Sequence, residues 1–187
     1  MHPAVIVVDM LKDSLNDNSK MAKEARKIIN PINNLLREAR KLSLPIIFAC
    51  DSFLLGDFIF KGRMKPYAIR GTEGAEVIDE LEREKDDIIL PKRRFSAFFK
   101  TDLDQTLRLF DVDTVAVCGI ATNFCVLATV FDALSLDFSA IIIEDCCAAH
   151  KKEAHQTTIN NYKHHALFPL LRVMNSHDFL DEVKSDN

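Results

Sequence analysis

The chain has 187 residues, of which 48% are hydrophobic and 28% are charged, and its formal net charge is −4. These values indicate one globular domain, expected over residues 1–187, with a substantial core. The slightly acidic balance excludes proteins that bind nucleic acid or anionic membranes through a dense basic surface. The first apolar run is stopped by Asp9 and is unlike a secretory signal, and no later run is long enough to span a bilayer. A cytoplasmic protein is therefore expected.

Six short apolar runs predict β-strands. Most of them are continuous rather than alternating, which is typical of strands buried on both faces of a sheet. In chain order the predicted strands are 4–8, 45–50, 88–90, 114–118, 140–143 and 170–174.

Segments with helical periodicity lie between these strands. They cover 22–42, 72–84, 103–110, 122–136 and 151–164. Strands that alternate with helices favour right-handed crossovers and a parallel sheet. The predicted fold class is therefore α/β, a three-layer α/β/α sandwich around a mostly parallel, Rossmann-like sheet of about six strands.

One long connection, 51–70, interrupts this alternation. A long apolar loop in a compact domain is usually functional or covered by a partner. We interpret it as a lid or a subunit contact, and a short irregular helix over the sheet edge is the alternative. Its apolar residues are Phe53, Leu54, Leu55, Phe58, Ile59 and Phe60.

Five cysteines, an odd number without a C-x-x-C pair, argue against a disulfide framework or a zinc ribbon. Three of them, Cys50, Cys118 and Cys146, lie at the ends of apolar runs. They are predicted to be small buried hydrophobic residues.

Cys125 differs from these, because the run 115–126 predicts a buried strand, a tight turn and then a helix start that contains it. Thr122 is the predicted N-cap of that helix. The helix dipole at such a start favours a thiolate, which is the nucleophilic form of cysteine. The amides of the same turn can receive a developing oxyanion.

Asp9, Asp51 and Lys92 also follow predicted strands. The carboxyl ends of parallel strands meet at one edge of a sheet, where ligands bind, so these residues are expected near Cys125. Asp9 is either a carboxylate that caps a loop or a general base beside the thiol. Lys92 is either a surface lysine or the cation that keeps Asp9 ionised and stabilises a thiolate.

Six motifs along the chain carry a family resemblance. They are Val7-Val8-Asp9-Met10 with Asp13, Arg70-Gly71-Thr72-Glu73-Gly74-Ala75, Lys92-Arg93-Arg94-Phe95-Ser96-Ala97-Phe98, Thr101-Asp102-Leu103, Gly119-Ile120-Ala121-Thr122-Asn123-Phe124-Cys125-Val126 and Asp132-Ala133. Together they resemble the cysteine hydrolases of the isochorismatase-like superfamily, which contains nicotinamidases, N-carbamoylsarcosine amidases and isochorismatases. The resemblance covers nearly the whole chain.

The resemblance implies a catalytic triad of Asp9, Lys92 and Cys125. It also implies a non-proline cis peptide between Ile120 and Ala121, with the Ala121 and Cys125 N–H groups as the oxyanion hole. It further implies amide hydrolysis without a cofactor, in a homodimer or homotetramer.

Two differences from the family's motifs restrict the subfamilies to which this sequence could belong. Metal-binding nicotinamidases carry Asp-x-His after the second strand, whereas this chain has Asp51-Ser52-Phe53, with no histidine between His2 and His150. We therefore expect no metal in the active site. True isochorismatases do not use a cysteine nucleophile, so Cys125 favours amide chemistry. The motifs at 70–74 and 92–98 look most like the N-carbamoylsarcosine amidase branch.

Substrate-binding residues are predicted less directly. Arginines pair bidentately with carboxylates, so Arg70, Arg93 and Arg94 are candidates for binding an acidic substrate, with surface or structural roles as the alternative. The other candidates for the pocket are Phe53, Phe95, Ser96, Phe98, Ile120, Thr122 and Phe124. Nicotinamidase or another isochorismatase-like hydrolase is the alternative activity. A member of the fold that binds a metabolite or a partner protein without catalysis is the alternative from a different class.

Overall fold

The computed structural model describes residues 1–16 and 18–186, in which six parallel strands form one sheet in the order β3-β2-β1-β4-β5-β6. The parallel α/β sheet predicted from the apolar runs is confirmed. The strands are β1 (Pro3–Val8), β2 (Ile46–Asp51), β3 (Ile88–Lys92), β4 (Thr114–Ile120), β5 (Ser139–Ala148) and β6 (Leu171–Met174).

Helices flank the sheet. They are α1 (Lys12–Leu15), α2 (Lys20–Lys27), α3 (Ile29–Lys41), α4 (Leu103–Leu109), α5 (Leu127–Ser135), α6 (Lys152–Lys163) and α7 (Ser176–Asp186). Helix α3 lies against α7 and β2, and α5 lies against β4 and β5. None of the helices in the described ranges is both long and apolar enough to cross a bilayer.

The strand order places β1 and β4 side by side at the point where the chain changes direction across the sheet. Ligands of open α/β sheets bind outside the carboxyl ends of the strands at such a point. The register there pairs Val8 with Gly119, and it pairs Asp51 of β2 with Lys92 of β3. The candidate residues therefore emerge at one edge of the sheet because the strands are in register.

The predicted helix over 72–84 is wrong. The chain forms only a short 3₁₀ turn, Glu73–Ala75, and Val77 then forms an isolated antiparallel β-bridge with Leu11. In place of helical bonds, Lys12 N–H donates to the Glu76 carbonyl and Ile78 N–H to the Met10 carbonyl, each at 2.9–3.1 Å. Pairing with the segment after β1 satisfies this backbone and outweighs its helical periodicity.

Other predicted helices change at their ends. The helix expected over 22–42 is divided into α2 and α3 at Ile28, and α7 was not predicted. The helix expected over 122–136 begins with a π turn, Thr122–Val126, before α5. Its N-cap is Ala121, so the prediction that Thr122 caps this helix is wrong.

The connection 51–70 is anchored by an aromatic cluster. Phe53 is fully buried, and its ring centroid lies 5.3 Å from that of Phe60 and 5.5 Å from that of Tyr67, both edge to face. A 3₁₀ turn, Phe58–Lys61, follows, and 75% of Phe58 is exposed. One part of the segment thus closes over the core while another part presents apolar side chains to solvent.

Gly119 allows β4 to approach β1 next to the candidate site. Its φ is +102°, and a Cβ there would lie 2.2 Å from the Val8 carbonyl oxygen. Because this oxygen belongs to the backbone of β1, the clash could be relieved only by moving the strand. We expect Gly119→Ala to lower the free energy of unfolding by about 2–4 kcal/mol, measured by denaturant unfolding. Gly56→Ala is the matched control, because a Cβ at Gly56 meets nothing within 4 Å. Equal stability of the two variants would contradict this account.

Candidate active site

Asp9 follows β1 in a left-handed conformation, with φ 53°. Aspartate tolerates this region better than most residues because its short side chain bonds locally to the backbone. Its N–H donates to the Ala49 carbonyl at 2.9 Å, and its Oδ1 accepts from the Asp51 N–H at 2.8 Å. These bonds to β2 fix the direction of a carboxylate that is almost completely buried.

Lys92 ends β3, and only 1% of it is exposed. Its Nζ donates to Asp9 Oδ2 at 2.8 Å, to Asp51 Oδ1 at 2.5 Å and to the Arg94 carbonyl at 3.2 Å. An ammonium group has three protons to donate, so all of them have acceptors here. This burial excludes the alternative that Lys92 is a surface lysine.

Asp51 is a second buried carboxylate in this cluster. Its free oxygen, Oδ2, accepts from the Tyr67 hydroxyl at 2.6 Å. The sequence placed Asp51 at a strand end but gave it no role. Its role could have been inferred from its pairing with Lys92. Predicting that pairing requires the order of the strands in the sheet as well as their positions in the sequence.

Cys125 completes the cluster from the π turn. Its sulfur lies within 4.8 Å of carboxylate oxygens of Asp9 and Asp51. Only 7% of the residue is exposed. The structure thus brings together Asp9, Lys92 and Cys125, which the sequence had placed at three separate strand ends.

The π turn arranges backbone amides around the thiol. The peptide bond between Ile120 and Ala121 is cis, as predicted. The Ala121 carbonyl accepts hydrogen bonds from the Phe124 N–H at 2.9 Å and from the Val126 N–H at 3.3 Å. The Cys125 N–H takes part in neither of these two bonds. Single π turns are frequent at functional sites.

Two buried threonines brace the same turn. Thr129 Oγ1 donates to the Cys125 carbonyl at 2.8 Å and accepts from the Ala97 N–H at 3.0 Å, which joins the turn to the loop after Lys92. Thr122 Oγ1 lies 2.9 Å from His155 Nδ1 of α6. The side chain of Thr122 therefore faces α6.

Burial dominates the proton affinities of the cluster. Burial, followed by the charge of Asp51, raises the pKa of Asp9 to about 7, although Lys92 opposes this rise. Burial and then the charge of Asp9 raise the pKa of the Cys125 thiol well above its usual value. Burial alone would lower the pKa of Lys92, but the neighbouring negative charges raise it, and the amine stays charged.

The expectation of a resting thiolate at Cys125 is therefore wrong. Desolvation and a neighbouring carboxylate outweigh the amides of the turn. At neutral pH the sulfur carries its proton, and Asp9, with a pKa near neutrality, is placed to take it. The arrangement is a thiol with an adjacent base instead of a preformed ion pair.

A cavity of about 420 Å³ opens above Cys125. Of the residues predicted to line it, Phe95, Ile120 and Phe124 do so, and Ala121 of the predicted oxyanion hole lines it as well. The sequence did not single out the others, which reach the cavity through tertiary packing of α1, α2 and the loops. These are Asp13, Ser14, Ser19, Met21, Met64, Tyr67 and His150.

The remaining predicted pocket residues lie elsewhere. Arg70 Nε donates to Ser52 Oγ at 3.2 Å, and Ser96 Oγ accepts from the Phe98 N–H at 3.1 Å. Thr122 faces His155, as described above. Phe53 belongs to the aromatic cluster, and Phe98 packs near Phe138 with ring centroids 5.8 Å apart.

Arg93 forms an ion pair with Asp57 of the same chain. Its guanidinium binds both carboxylate oxygens of Asp57, with Nε 3.2 Å from Oδ2. Arg94 Nη1 lies 3.5 Å from the same carboxylate. The Arg93 guanidinium holds the pKa of Asp57 well below its usual range. These contacts support the structural alternative for both arginines.

Comparison with known proteins now decides the family. Residues 3–172 match the isochorismatase domain. A probable inactive nicotinamidase of Arabidopsis thaliana is 30% identical over 171 residues, which cover 86% of this chain and 87% of that protein. This chain belongs to the isochorismatase family.

Solved structures of the isochorismatase family agree. An isochorismatase-like hydrolase from Alkaliphilus metalliredigens has a TM-score of 0.86 and 27% identity, covering 97% of this chain and 99% of its own. N-carbamoylsarcosine amidase from Thermoplasma acidophilum has a TM-score of 0.81 and 30% identity, covering 94% of this chain and 97% of its own. Family members include amidohydrolases, and hydrolase activity is supported for this isochorismatase-family chain.

The residues of this family member do not fit a metal ion of the nicotinamidase kind. Phe53, at the position of the expected histidine ligand, is buried among aromatic rings and offers no donor atom. Asp9, Asp51 and Cys125 have ligand atoms close together, but the Lys92 ammonium bridges both carboxylates. A cation at that place would have to displace another cation.

Lys92→Met leaves two buried carboxylates without a counter-charge. We expect the free energy of unfolding at pH 8 to fall by about 3–5 kcal/mol. Because Lys92 lowers the pKa of Asp9, its loss raises that pKa further in the folded state. A carboxyl group with a raised folded pKa loses stability as pH rises, so the deficit should be smaller at pH 5.

Urea unfolding at both pH values measures this, with the exposed Lys85→Met as the control. A deficit that is equal at pH 5 and pH 8 would show that the two carboxylates are not the cause.

Proposed function

We propose that this protein is a cysteine-dependent amidohydrolase that cleaves a small amide or N-carbamoyl substrate and releases ammonia. The observation that carries the proposal is the position of the Cys125 sulfur within 4.8 Å of the Asp9 carboxylate, with Asp9 in turn held by Lys92 at 2.8 Å. A nucleophile, a base and a residue that orients the base are the elements of nucleophilic catalysis.

In the proposed first step, Asp9 takes the thiol proton while sulfur attacks the carbonyl carbon. The tetrahedral oxyanion binds the N–H groups of Ala121 and Cys125. The loss of one such donor typically costs about 3–4 kcal/mol of transition-state stabilisation. As the C–N bond breaks, Asp9 donates its proton to the nitrogen, and ammonia leaves a thioester on Cys125.

In the second step, water attacks the thioester carbonyl and gives a proton to Asp9. The C–S bond breaks, the acid product leaves, and the proton returns to sulfur. Asp9 therefore acts alternately as base and acid, for which a pKa near the working pH is suited. Lys92 keeps its charge throughout and holds the carboxylate in position. No cofactor is required.

Phe95, Ile120 and Phe124 are proposed to contact the substrate, since they line the cavity. Arg70, Ser96 and Thr122 are proposed to act only through their neighbours. Within the family, the likeness to N-carbamoylsarcosine amidase supports a carbamoyl or amide group at Cys125. Nicotinamidase activity is the alternative, and the intact cluster argues against a member that only binds a metabolite or partner.

We also propose that the protein forms a homodimer or homotetramer. Leu55 and Phe58 are 70% and 75% exposed, and Phe58 and Phe95 share a surface groove of about 540 Å³. Apolar side chains grouped in this way typically mark an interface. A monomer in sedimentation at micromolar concentration would contradict self-association.

Replacement of the nucleophile tests the activity. Ammonia release is measured with N-carbamoylsarcosine, other N-carbamoyl amino acids, ureidoacrylate, biuret and nicotinamide. Cys125→Ala should reduce turnover of the accepted compound about a thousandfold or more, because no other group forms the thioester. Cys146→Ala, at a buried cysteine of β5, is the control and should stay active. Substantial turnover by Cys125→Ala would contradict the proposed mechanism.

The pH profile tests the role of Asp9. Because the ionised carboxylate is the base, kcat/KM should rise with pH through about 7, the value to which burial raises the pKa of Asp9. Asp51 contributes to that rise, so Asp51→Asn should move the midpoint down by about one pH unit. An unmoved midpoint in a variant that remains folded would show that Asp51 does not act on Asp9.

A further inference from the structure

The charges around the cavity are predominantly negative. Among its lining residues, all of which lie in the described ranges, Asp9 and Asp13 are carboxylates, and no lysine or arginine is present. The buried Lys92 ammonium beneath them is shared by Asp9 and Asp51, so it has no free proton for a ligand. His150 is exposed at the rim.

Asp13 is a lining residue of the cavity whose carboxylate also lies against the backbone of Gly74. Its Oδ2 accepts from the Ala68 N–H at 2.8 Å and its Oδ1 from Asn16 Nδ2 at 3.3 Å. Among residues 1–16 and 18–186, none of the ion pairs includes Asp13. Both of its bonds come from neutral donors, so neither of them compensates its charge.

The arginines that could have met a substrate carboxylate are placed elsewhere. Arg93 binds Asp57 through two bonds, Arg94 lies beside the same carboxylate, and Arg70 bonds to Ser52. A carboxylate in the cavity would therefore be desolvated without a cationic partner and would face like charges. The oxyanion that forms during attack would add one more negative charge.

Beside the hydroxyl-bearing residues Ser14, Ser19 and Tyr67, a large part of the wall is apolar. This apolar part consists of Met21, Met64, Phe95, Ile120, Ala121 and Phe124. From these observations we propose that the site takes uncharged amides or carbamoyl compounds with an apolar body and rejects substrates that carry a carboxylate. This inference rests on the proposed function of Cys125 and restricts it, since N-carbamoyl amino acids and ureidoacrylate are anions.

The charge preference can be measured on the thiol itself. Iodoacetamide and iodoacetate have nearly the same shape and differ in charge, and both alkylate cysteine. Their second-order rate constants at Cys125 are measured at pH 8, where an ordinary imidazole is neutral, by mass spectrometry of the modified peptide. N-acetylcysteinamide supplies the ratio for a free thiol.

We expect the ratio of iodoacetamide to iodoacetate rates at Cys125 to exceed the free-thiol ratio about tenfold. Met64→Lys places a cation in the wall and should move the ratio back toward that of the free thiol. Met64→Gln, which alters polarity without charge, should keep the preference. A parent ratio equal to that of the free thiol would overturn the proposal, as would identical ratios in the two variants.

A second measurement separates this proposal from the function on which it rests. Ammonia release is compared for N-carbamoylglycine and N-carbamoylglycinamide, which differ in one charged group. Faster turnover of the anion overturns the charge preference and leaves the cysteine mechanism standing. A tenfold alkylation preference without turnover of any amide supports the charge preference and contradicts the proposed hydrolysis. Failure of Cys125 to react with either reagent contradicts both.

Discussion

The buried ammonium of Lys92 between two carboxylates is the interaction on which the rest of the site depends. Removing three charged groups from water is costly, and only close contact with further hydrogen bonds offsets that cost. Asp9, Asp51 and Lys92 come from three neighbouring strands, so the contact exists only when β1, β2 and β3 are in register. The same register aligns Asp9 with the turn that carries the thiol.

This cluster also determines how the thiol is used. At an isolated helix start, Cys125 would ionise easily. Here it is buried beside Asp9, and the energy of desolvating a thiolate exceeds what the turn amides supply. Burial therefore favours the protonated form of the sulfur. Asp51 helps to set the proton affinity of Asp9 without touching Cys125 through a hydrogen bond, which gives the second carboxylate a defined electrostatic effect.

Much of the fold could be predicted from the sequence, because strands buried on both faces appear as continuous apolar runs. The convergence of Asp9, Lys92 and Cys125 followed from their places at strand ends. The failures have local causes. The segment 72–84 has helical periodicity, yet its backbone pairs with the residues after β1. Thr122 has the chemistry of an N-cap, but a π turn directs its hydroxyl to α6.

The cavity wall was predicted less well, because its composition depends on which loops fold over the site. Nothing in the sequence near Met21 or Met64 signals a pocket, and the bonds of Arg93 to Asp57 require a contact across 36 residues. Short-range patterns report on an element and its ends. They do not report on the partner that a long side chain finds after the chain has folded.

The site is built at the carboxyl ends of four neighbouring strands, β3, β2, β1 and β4, and this has a consequence for its motions. The pair Val8–Gly119 joins β1 to β4 in the middle of the sheet, and the core strands of a domain typically exchange their amide protons only when the whole domain opens. We therefore expect the backbone that positions Asp9 next to β4 to persist as long as the fold does. Met64 and Tyr67 lie in the connection 51–70, outside the strands, so we expect ligands to enter and leave through motions of this connection that do not disturb the sheet.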